Sequence, residues 1–344
     1  LYCLKSLKKV NQNKKIIMFI KLYQITKFLI LKIIYFIYPI KYQKVLWLIG
    51  SGRSGTTWIA SLINTNNLYR ELFEPFHSGI CEMKLSGFKK NLYLSEDVKN
   101  IRLNFLSKKI FNGNFYSPGV EGTNKFLTLY RKDVLLVKDI FANLLAKNIC
   151  ARNEKIKPIL LIRNPFAVAL SIRNKKNWDW MNDPAVLLKQ KSLLDDYLKP
   201  FQKLILNTSK NGSCLDKQIL IWSIINYIPL VQFGEDELLV TFYEDWISNP
   251  EFELEKTYIF INEKPFFPLQ IQNSKIFINA SKTTTKSTFD ILDWKDILTV
   301  DEVSSGERIL KQFGFGNLYD KFSIPNRGVI QEVRSKFKTR VVHF

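Results

Sequence analysis

Residues Lys44–His77 read KVLWLIGSGRSGTTWIASLINTNNLYRELFEPFH, and the order of the parts in this stretch decides the fold class. Val45-Leu46-Trp47-Leu48-Ile49 is an uninterrupted apolar run, the pattern of a strand covered on both faces in a parallel sheet. Gly50-Ser51-Gly52-Arg53-Ser54-Gly55 then breaks the chain, and Thr56 to Ile63 resumes with helical spacing. Glycines in such a loop permit positive φ and close approach. Successive backbone N–H groups and the helix N-terminus therefore converge on one point, which predicts an anion site at the edge of an α/β sheet.

Gly50 and Gly55 have the glycine spacing of the nucleoside-triphosphate loop G-x-x-x-x-G-K-[ST], but Thr56 stands where that loop has lysine. A γ-phosphoryl transferase needs this lysine, with a carboxylate-held Mg²⁺, against the charge of the triphosphate. Here the cation, Arg53, sits inside the loop, which suits a shorter anion with a single group to be transferred. A glycine turn without a ligand is the plain alternative. Against it stands the coincidence of a buried strand, the glycines, four hydroxyl residues and an arginine.

These residues resemble the sulfotransferases that use 3′-phosphoadenosine 5′-phosphosulfate (PAPS). Gly52-Arg53-Ser54-Gly55-Thr56-Thr57-Trp58 is similar to the family's 5′-phosphosulfate loop, in the arginine form commoner among carbohydrate and bacterial members. Glu74-Pro75-Phe76-His77 is similar to the E-P-x-x-H stretch of carbohydrate sulfotransferases. Arg163-Asn164-Pro165 with Ser171 matches the family's 3′-phosphate motif, R-[DN]-P-x-A-V-x-x-S. Its chemistry is independently readable: an arginine at a strand end offers a fork of donors, and a serine two turns into the following helix adds a hydroxyl. Asn164 and Pro165 predict that helix's cap and first position.

The resemblance implies a three-layer α/β domain with a central parallel sheet, PAPS as sulfuryl donor, no metal, and a hydroxyl of a carbohydrate or glycolipid as acceptor. Donor-binding residues would be Gly52 to Trp58, Arg163, Ser171, Tyr243 of the Tyr243-Glu244-Asp245 signature, and Trp294 of Asp293-Trp294-Lys295. The catalytic set would be Arg53, Glu74, His77 and Lys138. Val134 to Asp139 reads as another buried strand, and Lys138-Asp139-Ile140 resembles the cytosolic Lys-Thr-His triplet with its histidine replaced by Ile140. The base must then come from elsewhere, with Glu74 expected and His77 the runner-up. The cytosolic Arg-Lys-Gly motif upstream of D-W-K is also missing, and Lys282 or Lys286 is the expected substitute. Asn177-Trp178-Asp179-Trp180 offers aromatics for a sugar face or for the core. Rival functions are a nucleotide kinase of the P-loop type and a non-catalytic protein that binds nucleotide or membrane.

With 344 residues, 46% of them hydrophobic and 14% aromatic, the chain is long enough for one large domain. Its net charge of +20 suits polyanionic ligands, although residues 1–44, with ten lysines and no acid, supply half of it. The chain begins at Leu1, and Met18 is an expected start. Lys21, Lys27 and Lys32 interrupt the apolar run from 16 to 40, short of the roughly 20 residues a spanning helix needs. The expectation is an interfacial helix making peripheral membrane contact, or one packed on the domain. Four scattered cysteines without a C-x-x-C pair point to a reducing cytoplasm and away from zinc. Leu187 to Phe233 reads as two long amphipathic helices with Asp216 as a cap, Leu238 to Asp245 as a strand, and Thr299 to Glu302 as a capping box. The expected division is a basic apolar segment over 1–43, the catalytic domain over 44–315, and a basic tail over 316–344.

Overall fold

The computed structural model describes residues 41–65, 69–117, 119–121, 134–175, 182–263 and 291–342, with single positions between 22 and 37. In chain order the elements are β1 (Lys44–Gly50), α1 (Thr56–Ile63), β2 (Arg70–Phe73), α2 (Cys81–Leu85), α3 (Ile101–Phe111), β3 (Val134–Asp139), α4 (Ala146–Cys150), β4 (Ile156–Ile162) and α5 (Pro165–Arg173). There follow α6 (Gln202–Asn211), α7 (Cys214–Gln232), β5 (Leu239–Phe242), α8 (Tyr243–Ser248), α9 (Pro250–Phe260), α10 (Val300–Gln312) and α11 (Gly328–Val342). The strands form one five-stranded sheet, ordered β2-β3-β1-β4-β5, in which every pairing is parallel.

The run at β1 is continuously apolar because both faces of the sheet are covered. Val45, Trp47 and Ile49 enter one core with residues of α3, α5 and α7, while Leu46 and Leu48 enter a second with residues of α1 and α9. All five side chains are fully buried. This is the expected three-layer α/β architecture. The strand β2 gives a weaker sequence signal because it carries Arg70 and Glu71, both buried. Arg70 is tolerated at the sheet edge because its Nε donates to Glu121 Oε1 at 3.1 Å and its Nη1 to the Gly113 carbonyl at 2.5 Å. A buried charge is otherwise prohibitively costly.

Three expectations are revised. The strand read as running from 238 to 245 stops at Phe242, and Tyr243 begins α8. The first of the two helices expected over 187–233 is a series of short turns from 184 to 201 followed by α6, and Pro200, which has no N–H to give, stands where a single regular ladder would have run on. The second is α7, whose cap is Ser213; Asp216 supplies the other half of the capping box. Trp222 and Tyr227 are buried on α7 as expected. Among the described residues α7 is the one helix long and apolar enough to cross a membrane, and 78% of that window is buried within the protein.

The third revision concerns residues 316–344, expected as a basic tail. Leu318, Val329, Ile330 and Val333 belong to the main core, and Arg334 Nε donates to the Leu230 carbonyl near the end of α7 at 3.0 Å. Apolar residues spaced along α11 hold it to the domain, and the basic residues between them mask that pattern in the sequence. Asn177 to Trp180, Lys282 and Lys286 lie outside the described residues, as does most of the 1–40 segment.

Burying one Leu, Val or Ile side chain contributes roughly 1.5–3 kcal/mol, and four of them approach the 5–15 kcal/mol of a whole domain. A chain ending at Phe315 should therefore lose its cooperative melting transition, measured by circular dichroism. A truncated protein melting within a few degrees of full length would contradict this packing.

Candidate active site

Parallel strands bring their C-terminal ends to one edge, and all five end here in charged or glycine-rich stretches, with Glu74 following β2. The loop after β1, Lys138 and Asp139 of β3, Arg163 after β4 and Tyr243 after β5 all lie on that edge. Such an edge is where open α/β sheets take their ligands.

The loop is built as the sequence predicts. Gly55 has φ 92°, and a Cβ there would meet the Tyr243 ring at 2.5 Å, so glycine is obligatory on both counts. Ser54 is turned inward: its Oγ donates to the Ser51 carbonyl at 2.5 Å, and its backbone N–H to the same oxygen at 3.1 Å. Its hydroxyl therefore serves the loop rather than a ligand. Asn226 of α7, which sequence reading passed over, donates from Nδ2 to Ser51 Oγ at 3.2 Å and ties the loop to the core. Thr56 and Thr57 open α1, where helix geometry gives their N–H groups no intrahelical acceptor. Trp58 is buried and meets Tyr243 edge-on, with ring centroids 5.3 Å apart.

The two phosphate motifs meet. Arg53 Nε donates to Ser171 Oγ at 3.1 Å, and Arg163 Nη1 donates to the Arg53 carbonyl at 3.2 Å. The Arg163 guanidinium also lies 4.2 Å from the centre of the Tyr243 ring. Burial, with the neighbouring Arg163 charge, lowers the pKa of Arg53. Two guanidinium groups gathered in this way have the charge and donors that could hold a polyanion.

Beside them stands a second group. Lys138, almost wholly buried, donates to Glu74 Oε1 at 2.5 Å and lies 4.4 Å from the centre of the Phe73 ring. Glu74 has φ 49° and Arg53 has φ 71°. Neither residue type favours the left-handed region, so both positions carry strain of the order of 1 kcal/mol or more. Asp139 braces the Glu74–His77 turn: its Oδ2 accepts the Phe76 N–H at 2.9 Å, and its Oδ1 accepts those of Phe141 and Ala142 at 2.7 and 3.1 Å. Burial pushes the Asp139 carboxyl up to about 7 despite these donors.

His77 Nδ1 accepts the Gly79 N–H at 2.9 Å, and its ring meets Phe141 edge-on. Burial, then the Lys90 charge, lowers its pKa against the opposing pull of Glu74. The ring is therefore neutral at neutral pH, and with Nδ1 accepting, its proton resides on Nε2. Lys90 itself is lowered by burial and lies 5.2 Å from the centre of the Phe141 ring. Sequence reading missed Lys90 because it follows Lys89 in a stretch without periodicity.

Trp294, expected at the donor, is packed elsewhere. It stacks on Phe166 at 4.9 Å and donates to Ser323 Oγ at 3.2 Å. Asn164 caps α5 through Oδ1 and donates from Nδ2 to the same Ser323 hydroxyl. Glu244, read as structural, accepts the Asn164 N–H at 3.0 Å and the Tyr319 hydroxyl at 3.0 Å. Residues 294–323 thus hold the start of α5, and with it the Arg163–Ser171 pair, from behind.

A sequence model of the sulfotransferase domain matches residues 43–301. The chain belongs to the sulfotransferase family. It is a sulfotransferase enzyme whose glycine loop, parallel sheet and paired arginines are the parts described above. No curated protein matches this sulfotransferase by sequence. Solved structures similar to it include the sulfotransferase domain of the Synechococcus PCC 7002 olefin synthase, at 16% identity and TM-score 0.38 over 78% of this chain and 94% of that one. Another is mouse sulfotransferase SULT7A1 complexed with PAP, at 14% identity and TM-score 0.39 over 85% of this chain and 89% of that one. Both are too distant to transfer residue roles. Among the described residues no group of three or more histidine, cysteine, aspartate or glutamate side chains is arranged to hold a metal.

Because Arg53 adopts φ 71°, its Gly variant should be about 1 kcal/mol more stable than its Ala variant, while both lose sulfuryl transfer. Chemical denaturation separates the two; equal stabilities would show that the loop is unstrained.

Burial raises Glu244 from its ordinary 4.5 to about 7. The folded protein therefore holds this proton more tightly than the unfolded chain. The resulting stability is fully present below the unfolded value and lost as pH rises through about 7. Melting temperature should fall between pH 5 and 8, and Glu244→Gln should flatten that decline in part, leaving the share due to Asp139. A wild-type melting temperature that rises over this range would contradict the assignment.

Proposed function

We propose that this sulfotransferase takes a sulfuryl group from PAPS and delivers it to a hydroxyl of a carbohydrate or glycolipid. One observation carries the donor reading: Arg53 of the glycine loop and Arg163 and Ser171 of the distant second motif bond to one another. A donor with phosphate at both ends of a nucleoside needs two such groups side by side. The triphosphate reading lacks the lysine after Gly55.

In this reading the loop amides, the start of α1 and Arg53 receive the negative charge that builds on the 5′-phosphate as its oxygen–sulfur bond breaks. Arg163 and Ser171 bind the 3′-phosphate and contribute mainly to affinity. Glu74 accepts the proton of the acceptor hydroxyl as its oxygen bonds to sulfur. Lys138 holds the Glu74 carboxylate until acceptor and donor are in place, and then faces the oxygens of the transferred group. His77 suits a donor role better than that of base, because its Nδ1 lone pair is engaged by Gly79 and its Nε2 carries the proton. The carbohydrate preference rests on the E-P-x-x-H resemblance, supported by the hydrogen-bonding side chains of Glu74, His77 and Lys90, which lie close enough to feel one another's charge. Cytoplasmic placement, with the 16–40 segment at a membrane surface, is part of the same proposal. Leu22, Ile25, Leu29, Ile33 and Ile37, all exposed, favour the membrane contact.

The test is thermal stabilisation. Adenosine 3′,5′-bisphosphate at a hundred times its Kd should stabilise the fold by about 2.7 kcal/mol, and ATP should not. Stabilisation by ATP instead favours a kinase; stabilisation by neither favours a binding protein of another kind. Arg163→Ala and Ser171→Ala should weaken the bisphosphate more than they slow turnover.

Glu74→Gln should keep bisphosphate binding and lose turnover by roughly a hundredfold, whereas His77→Ala should lose less than about tenfold. Melting temperature falls in Glu74→Gln as well, because Lys138 is left buried without its partner. Retained bisphosphate affinity is the control for folding. The opposite ranking of the two variants exchanges their roles.

A further inference from the structure

We propose that this sulfotransferase carries a second anion site, for a phosphate-type oxyanion, at the pole of the sheet opposite the active site. A cavity of about 750 Å³ lies between α3 and the segment that follows α4. Lys99, Lys108 and Arg152 line it with Asn104, Ser107 and Asn153, and among the described residues no carboxylate does.

Two features distinguish it from a patch of surface lysines. Arg152 is held at the wall, with Nη2 donating to the Val98 carbonyl at 3.0 Å and Nη1 to that of Asn148. A guanidinium fixed in this way loses little freedom on binding an oxyanion. Ser107 is 6% exposed, and its hydroxyl has no hydrogen-bond partner. Helical serines usually donate to a carbonyl one turn back, as Ser61 does to Thr57 and Ser223 to Ile219. The Ser107 hydroxyl forgoes that bond; closed off from solvent as it stands, it needs only a turn about χ1 to donate to a ligand in the cavity that this residue lines. A buried polar group without a partner is otherwise unfavourable.

The site is separate from the donor pocket. Ile156, on its wall, begins β4 and pairs with Val45 at the start of β1. The glycine loop follows the other end of β1, whose seven residues span roughly 20 Å. The segment with ten lysines and no acid joins the domain at Lys44, on the same pole as the cavity. Two sources can present this chemistry: the head group of an anionic phospholipid, or a soluble phosphate ester.

The experiment uses the full chain and isothermal titration with glycerol 3-phosphate, with the donor site filled beforehand by saturating adenosine 3′,5′-bisphosphate. Lys99→Glu/Lys108→Glu should weaken binding by about tenfold or more, and Ser107→Ala by about threefold, while Arg53→Ala leaves it unchanged. Ser107→Ala removes no hydrogen bond of the fold, so it stays informative if the charge variant fails to fold. The proposal stands only if the folded cavity variants weaken binding and Arg53→Ala does not; every other pattern overturns it. Sedimentation with phosphatidylglycerol against phosphatidylcholine vesicles then separates the sources. Loss of phosphatidylglycerol binding in the cavity variants identifies a lipid head group, and unchanged vesicle binding identifies a soluble ester.

Discussion

Parallel pairing of β1 with both β3 and β4 is the constraint on which the rest depends. The register sets Ile49 beside Asp139 and Gly50 beside Leu161, so the glycine loop, the Lys138–Asp139 end and Arg163 emerge together. A Cβ on Gly50 would meet the Leu161 carbonyl at 2.8 Å, which shows how closely the backbones approach where the loop begins. Because both faces of β1 are buried, a one-residue slip would exchange its two cores and could not be accommodated.

Among the described residues four cations, Arg53, Arg163, Lys138 and Lys90, crowd that edge against the carboxyl groups of Glu74 and Asp139. Two of the residues concerned, Arg53 and Glu74, are held in left-handed backbone conformations that their side chains disfavour. Such strain persists only where surrounding bonds over-determine it. Here the bonds are identifiable: Asp139 on the Phe76 N–H, Lys138 on the Glu74 carboxylate, and Asn226 on Ser51. The fold spends stability at this edge to hold an excess of positive charge, which in the proposed reading faces the negative charge that sulfuryl transfer develops.

The C-terminal segment belongs to the same device. Tyr319 and Ser323 reach Glu244 and Asn164, which hold the N-terminus of α5 and so fix where Ser171 lies. The opposite pole is assembled from different parts, α3 and the turn before β4, with its own cations and an unpartnered hydroxyl. If the second site takes a lipid head group, two anion sites on opposite poles would let the protein sit on an anionic surface while its active edge faces away from it.

What the sequence alone determined is local and periodic. The apolar run of β1, the glycine loop, the helix at Thr56, the Asn164-Pro165 cap and the capping box at Thr299 were all legible, because each depends on backbone chemistry within a few residues. So was the pairing of two anion motifs, since strand-loop-helix units present their loops at one edge. The tertiary structure alone decided the rest. The strand β2 was hidden because Arg70 is neutralised by Glu121, fifty-one positions away. The packing of Trp294 on Phe166, the brace of Asp139 under Glu74 and the half-buried Lys90 rest on contacts between distant segments. The last helix read as a tail because its lysines and arginines are interspersed with the few side chains that dock it, Val329, Ile330, Val333 and Phe337. Burial and long-range pairing change what a charged residue costs, and no local pattern records them.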